Sequence, residues 1–131
     1  MIFRNWMILL AQSFFFLLSP VHVWTAEAME VAVQLKEFRV EAAPQTMKKG
    51  KIRFVAVNQG SEEHELVVRK EENGGFKELG EIEPFPPGTT KEMTLTLSPG
   101  IYELSCQIVE KEEGETVDHY KRGMRVGIEV N

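Results

Sequence analysis

Apolar and polar residues alternate with a period of two in MTLTL (Met93 to Leu97) and again in MRVGIEV (Met124 to Val130), the pattern of a half-buried strand. VAVQL, IRFVAV, ELVV and IYELSC add runs rich in β-branched and aromatic residues. Turn-forming clusters fall between these runs: Lys49-Gly50, Asn58-Gln59-Gly60-Ser61, Asn73-Gly74-Gly75, Pro86-Pro87-Gly88 and Ser98-Pro99-Gly100. Short strands at this spacing predict an all-β protein, an antiparallel β-sandwich. Helix has little support; the most the pattern allows is a turn or two over Ile108 to Glu113.

The first 28 residues read differently. A short start carrying Arg4 leads into an apolar run from Trp6 to Leu18, and then into Ala26-Glu27-Ala28, a small-x-small pattern suited to signal peptidase. Residues 1–28 are therefore expected to be a secretory signal cleaved near Ala28. Gln12 and Ser13 interrupt the run, which is shorter than the ~20 residues of a spanning helix, so an uncleaved anchor is the weaker reading. Residues 29–131 would form one domain, long enough to bury one core. The expected location is the periplasm or another extracytoplasmic space, with no stable membrane insertion of the mature domain. The chain carries a net charge of −5, and removing the segment with Arg4 and Glu27 leaves that balance unchanged. An acidic domain argues against nucleic acid or an anionic membrane as its main partner.

Export makes the single cysteine informative. Cys106 cannot form an internal disulfide, and a free thiol is a liability in an oxidising compartment. Strand phase places Cys106 on the same face as Tyr102 and Leu104, His64 with Leu66 and Val68, and Met124 with Val126, Ile128 and Val130. All three are expected to point inward at strand ends, and His119 can join them from a loop. Taken singly, each has a plain structural role: the cysteine as a small hydrophobe, Met124 as core filler, the histidines as loop caps. Together, two imidazoles, a thiolate and a weak thioether are the donor set of a blue-copper electron-transfer site. As a ligand, Cys106 would have no need of a disulfide partner.

The segment KEFRVEAAPQTMKKGKIRFVAVNQGSEEHELVV resembles the first half of cupredoxins of the plastocyanin and azurin type. GEIEPFPPGTTKEMTLTLSPGIYELSC followed by HYKRGM resembles the second half, with a Pro-Gly turn before the cysteine strand and a closing His-x-x-x-x-Met. The resemblance implies a Greek-key β-sandwich holding one copper ion that cycles between Cu(I) and Cu(II). By position it implies His64 and His119 as imidazole ligands, Cys106 as the thiolate and Met124 as the axial thioether, with Asn58 fixing the ligand turn. It further implies a one-electron carrier, not an enzyme, whose partners are redox proteins such as a cytochrome or a membrane oxidase complex. A copper enzyme would need a second centre with histidines of its own, and residues 29–131 hold only these two. The rival readings are a copper carrier or storage protein and a metal-free β-sandwich interaction module.

One departure from the resemblance is large. Residues 107–118 separate Cys106 from His119, where the family has only a few residues. This charged insert is expected to loop into solvent, with a carboxylate such as Glu115 or Asp118 able to come near the metal. Glu110, Glu112, Glu113, Glu115 and Asp118 are expected to form an acidic surface beside the exposed edge of the site, either as a solvated loop or as a docking patch for a cationic partner.

Overall fold

The computed structural model describes residues 20–131. Most of the expected signal segment, residues 1–19, lies outside the described residues. Residues 20–28 carry no strand, and Val21, Val23 and Trp24 are exposed.

Among the described residues, eleven strands run in chain order as β1 (Met29–Lys36), β2 (Arg39–Ala43), β3 (Thr46–Met47), β4 (Gly50–Asn58), β5 (His64–Glu72), β6 (Gly75–Phe85), β7 (Thr90–Leu97), β8 (Gly100–Ser105), β9 (Val109–Glu112), β10 (Glu115–Asp118) and β11 (Arg125–Val130). One sheet has the order β2-β1-β4-β7 and the other β3-β11-β8-β5-β6, while β9 and β10 form a separate hairpin. The fold is thus the expected all-β sandwich. Most pairings are antiparallel, but β1 runs parallel to β4 and β3 parallel to β11. Side-chain alternation does not encode this direction, because a strand's period of two is the same in either pairing.

The core follows that alternation. Val31, Val33 and Leu35 of β1 and Ile52, Phe54 and Ala56 of β4 are buried at every second position, facing Leu66, Val68, Tyr102, Leu104, Ile128 and Val130 of the other sheet. The inward phases predicted for His64, Cys106 and Met124 hold, and all three are fully buried. β5 and β8 are covered on their outer faces as well. Arg69 there pairs with Glu103 and lies over the rings of Phe76 and Tyr120, and the Tyr120 hydroxyl donates to Glu103.

Two sequence expectations are corrected. Residues 108–113 form no helical turn: β9 occupies Val109–Glu112, and its hairpin turns through Glu113 and Gly114, both at positive φ. Nor is the insert an irregular loop. It is a paired hairpin whose residues 111–116 reach into solvent, while its own Val117 is buried. Its ladder of Val109 to Asp118 through Glu112 to Glu115 supplies backbone partners that a loose loop would lack.

Candidate metal centre

Four segments meet at one end of the sandwich. His64 opens β5 at a β-bulge, where the register slips between the pairs His64 with Phe85 and Leu66 with Ile82. The extra residue lies on edge strand β6 in a stretch containing Pro84, which cannot donate to a ladder. Bulges re-aim neighbouring side chains, and this one sits beside the first histidine. Cys106 follows the last residue of β8, and its N–H donates to the Met124 carbonyl over 3.0 Å.

His119 and Met124 are joined by a tight loop. The Met124 N–H donates to the His119 carbonyl, Gly123 to Tyr120, Arg122 to Asp118, and the Asp118 carboxylate accepts from the Lys121 N–H. Gly123 has φ 120°, and a side chain there would meet the Phe38 carbonyl at 3.1 Å, so only glycine suits this turn.

The two imidazoles present the same nitrogen to the thiol. His64 Nδ1 lies 3.9 Å and His119 Nδ1 3.6 Å from Cys106 Sγ. The three donor atoms lie within 4.8 Å of one another on fully buried residues. A metal bound by sulfur at about 2.3 Å and nitrogen at about 2.05 Å separates N from S by roughly 3.5–3.8 Å for angles of about 109–120°. The observed spacing therefore fits one ion held by all three residues. Met124 is fully buried and hydrogen-bonded through its backbone to both Cys106 and His119.

The far nitrogens have partners that the sequence reading missed. Glu37 sits in the two-residue turn between β1 and β2, and its Oε1 is 2.8 Å from His64 Nε2. The same carboxylate accepts from the backbone N–H groups of Ser61 and Glu62. A side chain at Gly60 would come within 2.3 Å of Glu37 Oε1, so a glycine is needed for this approach. Glu110 of β9 plays the corresponding part on the other ring, its Oε1 2.8 Å from His119 Nε2. Glu62 lies farther off, at 3.8 Å, and these two carboxylates with His119 make a second group of metal-compatible donors, on the ring's opposite nitrogen. Of the insert's acidic residues, the one in contact with a site histidine is thus Glu110, not Glu115 or Asp118. Only a register for the hairpin could have shown this, because Glu110 is one of five similar acids.

His119 has no exposed edge. It is buried under the hairpin, with the Phe38 ring edge-on at 5.3 Å and the His64 ring at 5.2 Å.

Asn58 fixes the turn before His64, as the resemblance implied. Its Nδ2 donates to the carbonyls of Glu62 and Phe85, and its Oδ1 accepts from the Gly60 N–H.

Electrostatics suit a cation. Burial pushes the Cys106 thiol up to about 11, against the lowering effect of the Glu65 and Ile108 N–H groups. Burial also holds His64 below its ordinary value despite Glu37, keeping the ring neutral as a ligand requires. Desolvation acts to raise Glu37, but its backbone donors and His64 outweigh it and keep the carboxylate ionised. Burial raises Glu62, and the neighbouring Glu112, Glu110 and Glu37 add to this. The carboxylates of Glu37, Glu62 and Glu110, gathered around the two imidazoles, place negative charge there that a bound cation would balance.

The sequence model of the cupredoxin-like domain matches residues 6–117. The chain belongs to the cupredoxin-like domain family. The matched span includes His64 and Cys106 and ends before His119 and Met124. Among solved structures, this cupredoxin resembles auracyanin B, with a TM-score of 0.61 at 19% identity over 83% of this chain and 93% of that one. It also resembles auracyanin A, a "blue" copper protein from Chloroflexus aurantiacus, with a TM-score of 0.61 at 15% identity over 80% and 100% of the two chains. These likenesses show the shared fold. The chain is 27% identical over 99 residues to the iron uptake system component EfeO of Yersinia pestis. That alignment covers 73% of this chain and 25% of EfeO, so this cupredoxin spans about a quarter of the curated relatives it matches. Among the described residues, no helix is long and apolar enough to cross a membrane.

Proposed function

We propose that the chain is an exported single-copper cupredoxin that carries one electron at a time between redox proteins. The observation that carries this reading is the pair of imidazole Nδ1 atoms at 3.6 and 3.9 Å from the Cys106 sulfur. His64, Cys106 and His119 would hold the ion, with Met124 as a weak fourth ligand. Bound copper would supply a Cu(I)/Cu(II) couple, for which thiolate and imidazole are suitable donors. Burial keeps water from the ligands, and the two sheets with the Asn58 turn hold the donors in one arrangement, so little has to rearrange on electron transfer. The likeness to auracyanins and the signal-like N-terminus support the reading. Both histidines of residues 29–131 belong to this one site, which favours a carrier over an enzyme.

One observation favours a second reading, a copper carrier or storage protein: His119 is fully buried, with Glu110 on its far nitrogen, and presents no edge to a redox partner. The likeness to EfeO, a component of an iron uptake system, points the same way.

The deciding experiment is a Cu(II) titration of residues 29–131 followed by visible absorption. The carrier reading expects an intense thiolate-to-copper band at one equivalent, lost in Cys106→Ser. A band of undiminished strength in the serine variant would exclude the assigned thiolate. Fast electron exchange with small oxidants then separates electron carriage from storage, which instead predicts ready loss of Cu(I) to a competing chelator.

A further inference from the structure

Each imidazole that faces the thiol is held from behind by a carboxylate. His64 Nε2 meets Glu37 Oε1 and His119 Nε2 meets Glu110 Oε1, both at 2.8 Å. The carboxylates come from unrelated places, the β1–β2 turn and the β9–β10 hairpin, yet they make the same contact. An ionised carboxylate can only accept, so the ring nitrogen facing it carries the proton and Nδ1 is left as a lone pair directed toward Cys106. The same contact places negative charge on the far side of each ring and makes the imidazole a stronger donor.

We propose that Glu37 and Glu110 are positioning residues that fix the tautomer of both ligand histidines and bias the site toward Cu(II) over Cu(I). The inference rests on the copper reading above and adds what sets the balance between the two states. Attraction between a buried cation and nearby carboxylates grows with the cation's charge, so removing one negative charge weakens Cu(II) binding more than Cu(I) binding. The hairpin insert thereby gains a role. It is the segment that delivers Glu110 to His119, and it covers that ring as it does so.

The test replaces charge while keeping an acceptor. In Glu37→Gln and Glu110→Gln an amide oxygen can still take the imidazole N–H, so the hydrogen bond survives and the charge does not. Mutation of such a partner typically weakens metal binding by about 10–100-fold. If Cu(II) affinity falls about tenfold more than Cu(I) affinity, the reduction potential rises by about 59 mV for one electron. Because Glu62 stands 3.8 Å from His119 Nε2, the pair Glu62→Gln with Glu110→Gln is measured as well and should shift further. Glu115→Gln removes the same charge from an exposed position on the same hairpin and should shift the potential far less. Gly60→Ala forces the Glu37 carboxylate from its seat and should move the potential in the same direction as Glu37→Gln.

A metal-free measurement separates this proposal from the copper reading. Nitrogen-15 NMR of the unloaded protein should show both rings protonated at Nε2 and bare at Nδ1. Protonation at Nδ1 in either ring would overturn the positioning role. Potentials in Glu37→Gln and Glu110→Gln that move no more than in Glu115→Gln, with the thiolate band intact, would overturn the bias toward Cu(II). Absence of the band in the unsubstituted protein would instead defeat the copper reading, and the NMR result would still decide the tautomers.

Discussion

Asn58 offers the sharpest test of how the site end of the sandwich is held. Its side chain is fully buried and makes three hydrogen bonds of 2.8–2.9 Å, to the carbonyls of Glu62 and Phe85 and from the Gly60 N–H. Asn58→Ala removes all three. Gly60 and Glu62 are only partly buried, so water can replace part of what they lose, and each should contribute about 1 kcal/mol. The Phe85 carbonyl belongs to a residue that is 2% exposed, and stranding a buried polar group costs about 1–3 kcal/mol. The expected loss is about 3–5 kcal/mol. At about 4–8 °C per kcal/mol for a domain of this size, the melting temperature should fall by roughly 12–40 °C. Asn58→Asp should do worse at neutral pH. It keeps the acceptor for Gly60 but turns a negatively charged oxygen toward two carbonyl oxygens, and the deficit should narrow as acid protonates it. Urea unfolding of the metal-free protein followed by circular dichroism gives both values. A loss below about 1 kcal/mol for Asn58→Ala would refute the argument, because it would mean that residues 59–63 are held without this side chain.

Three further outcomes are expected. In the metal-free protein the Cys106 thiolate should emerge in ultraviolet titration only around pH 11; since an unfolded thiol loses its proton nearer pH 9, this group's contribution to stability is full below pH 9 and disappears as pH rises toward 11, and a midpoint near 9 would contradict its burial. Met124→Leu should retain copper and the visible band while raising the reduction potential, since the weak axial donor tunes the site more than it holds the ion; loss of copper would make Met124 a principal ligand. Replacing Glu112, Glu113 and Glu115 together with Gln should slow electron transfer to a cationic oxidant and quicken it to an anionic one, with the difference vanishing at high salt, whereas unchanged stopped-flow rates would leave the hairpin's outer charge without a steering role.

The candidate donors were legible because strand phase is a local property. A residue two positions from a buried neighbour on the same strand shares its face, so His64, Cys106 and Met124 could be placed inward from the residues beside them. His119 was reached through its spacing to Met124, and Asn58 through its place in the turn before His64. Glu37 lies in the segment that resembles cupredoxins, yet nothing local marks a glutamate in a hairpin turn as a partner for a histidine 27 positions away. Gly60 is the nearest thing to a signal, since its missing side chain is what admits the carboxylate.

The insert shows the same limit from the other side. Its charge and its central glycine suggested a solvated excursion, and the choice among five acids could not be made from composition. A hairpin's register decides which side chain faces which way, and register is fixed by pairing across strands and by what the hairpin packs against. Alternation, turn residues and the rarity of a free cysteine determined the sandwich and the candidate donors by themselves, because each follows from chemistry within a few residues. The parallel pairings, the burial of His119 and the carboxylate behind each imidazole were decided only when distant segments met. Those features depend on which elements neighbour one another, and a strand's own sequence is nearly silent about that.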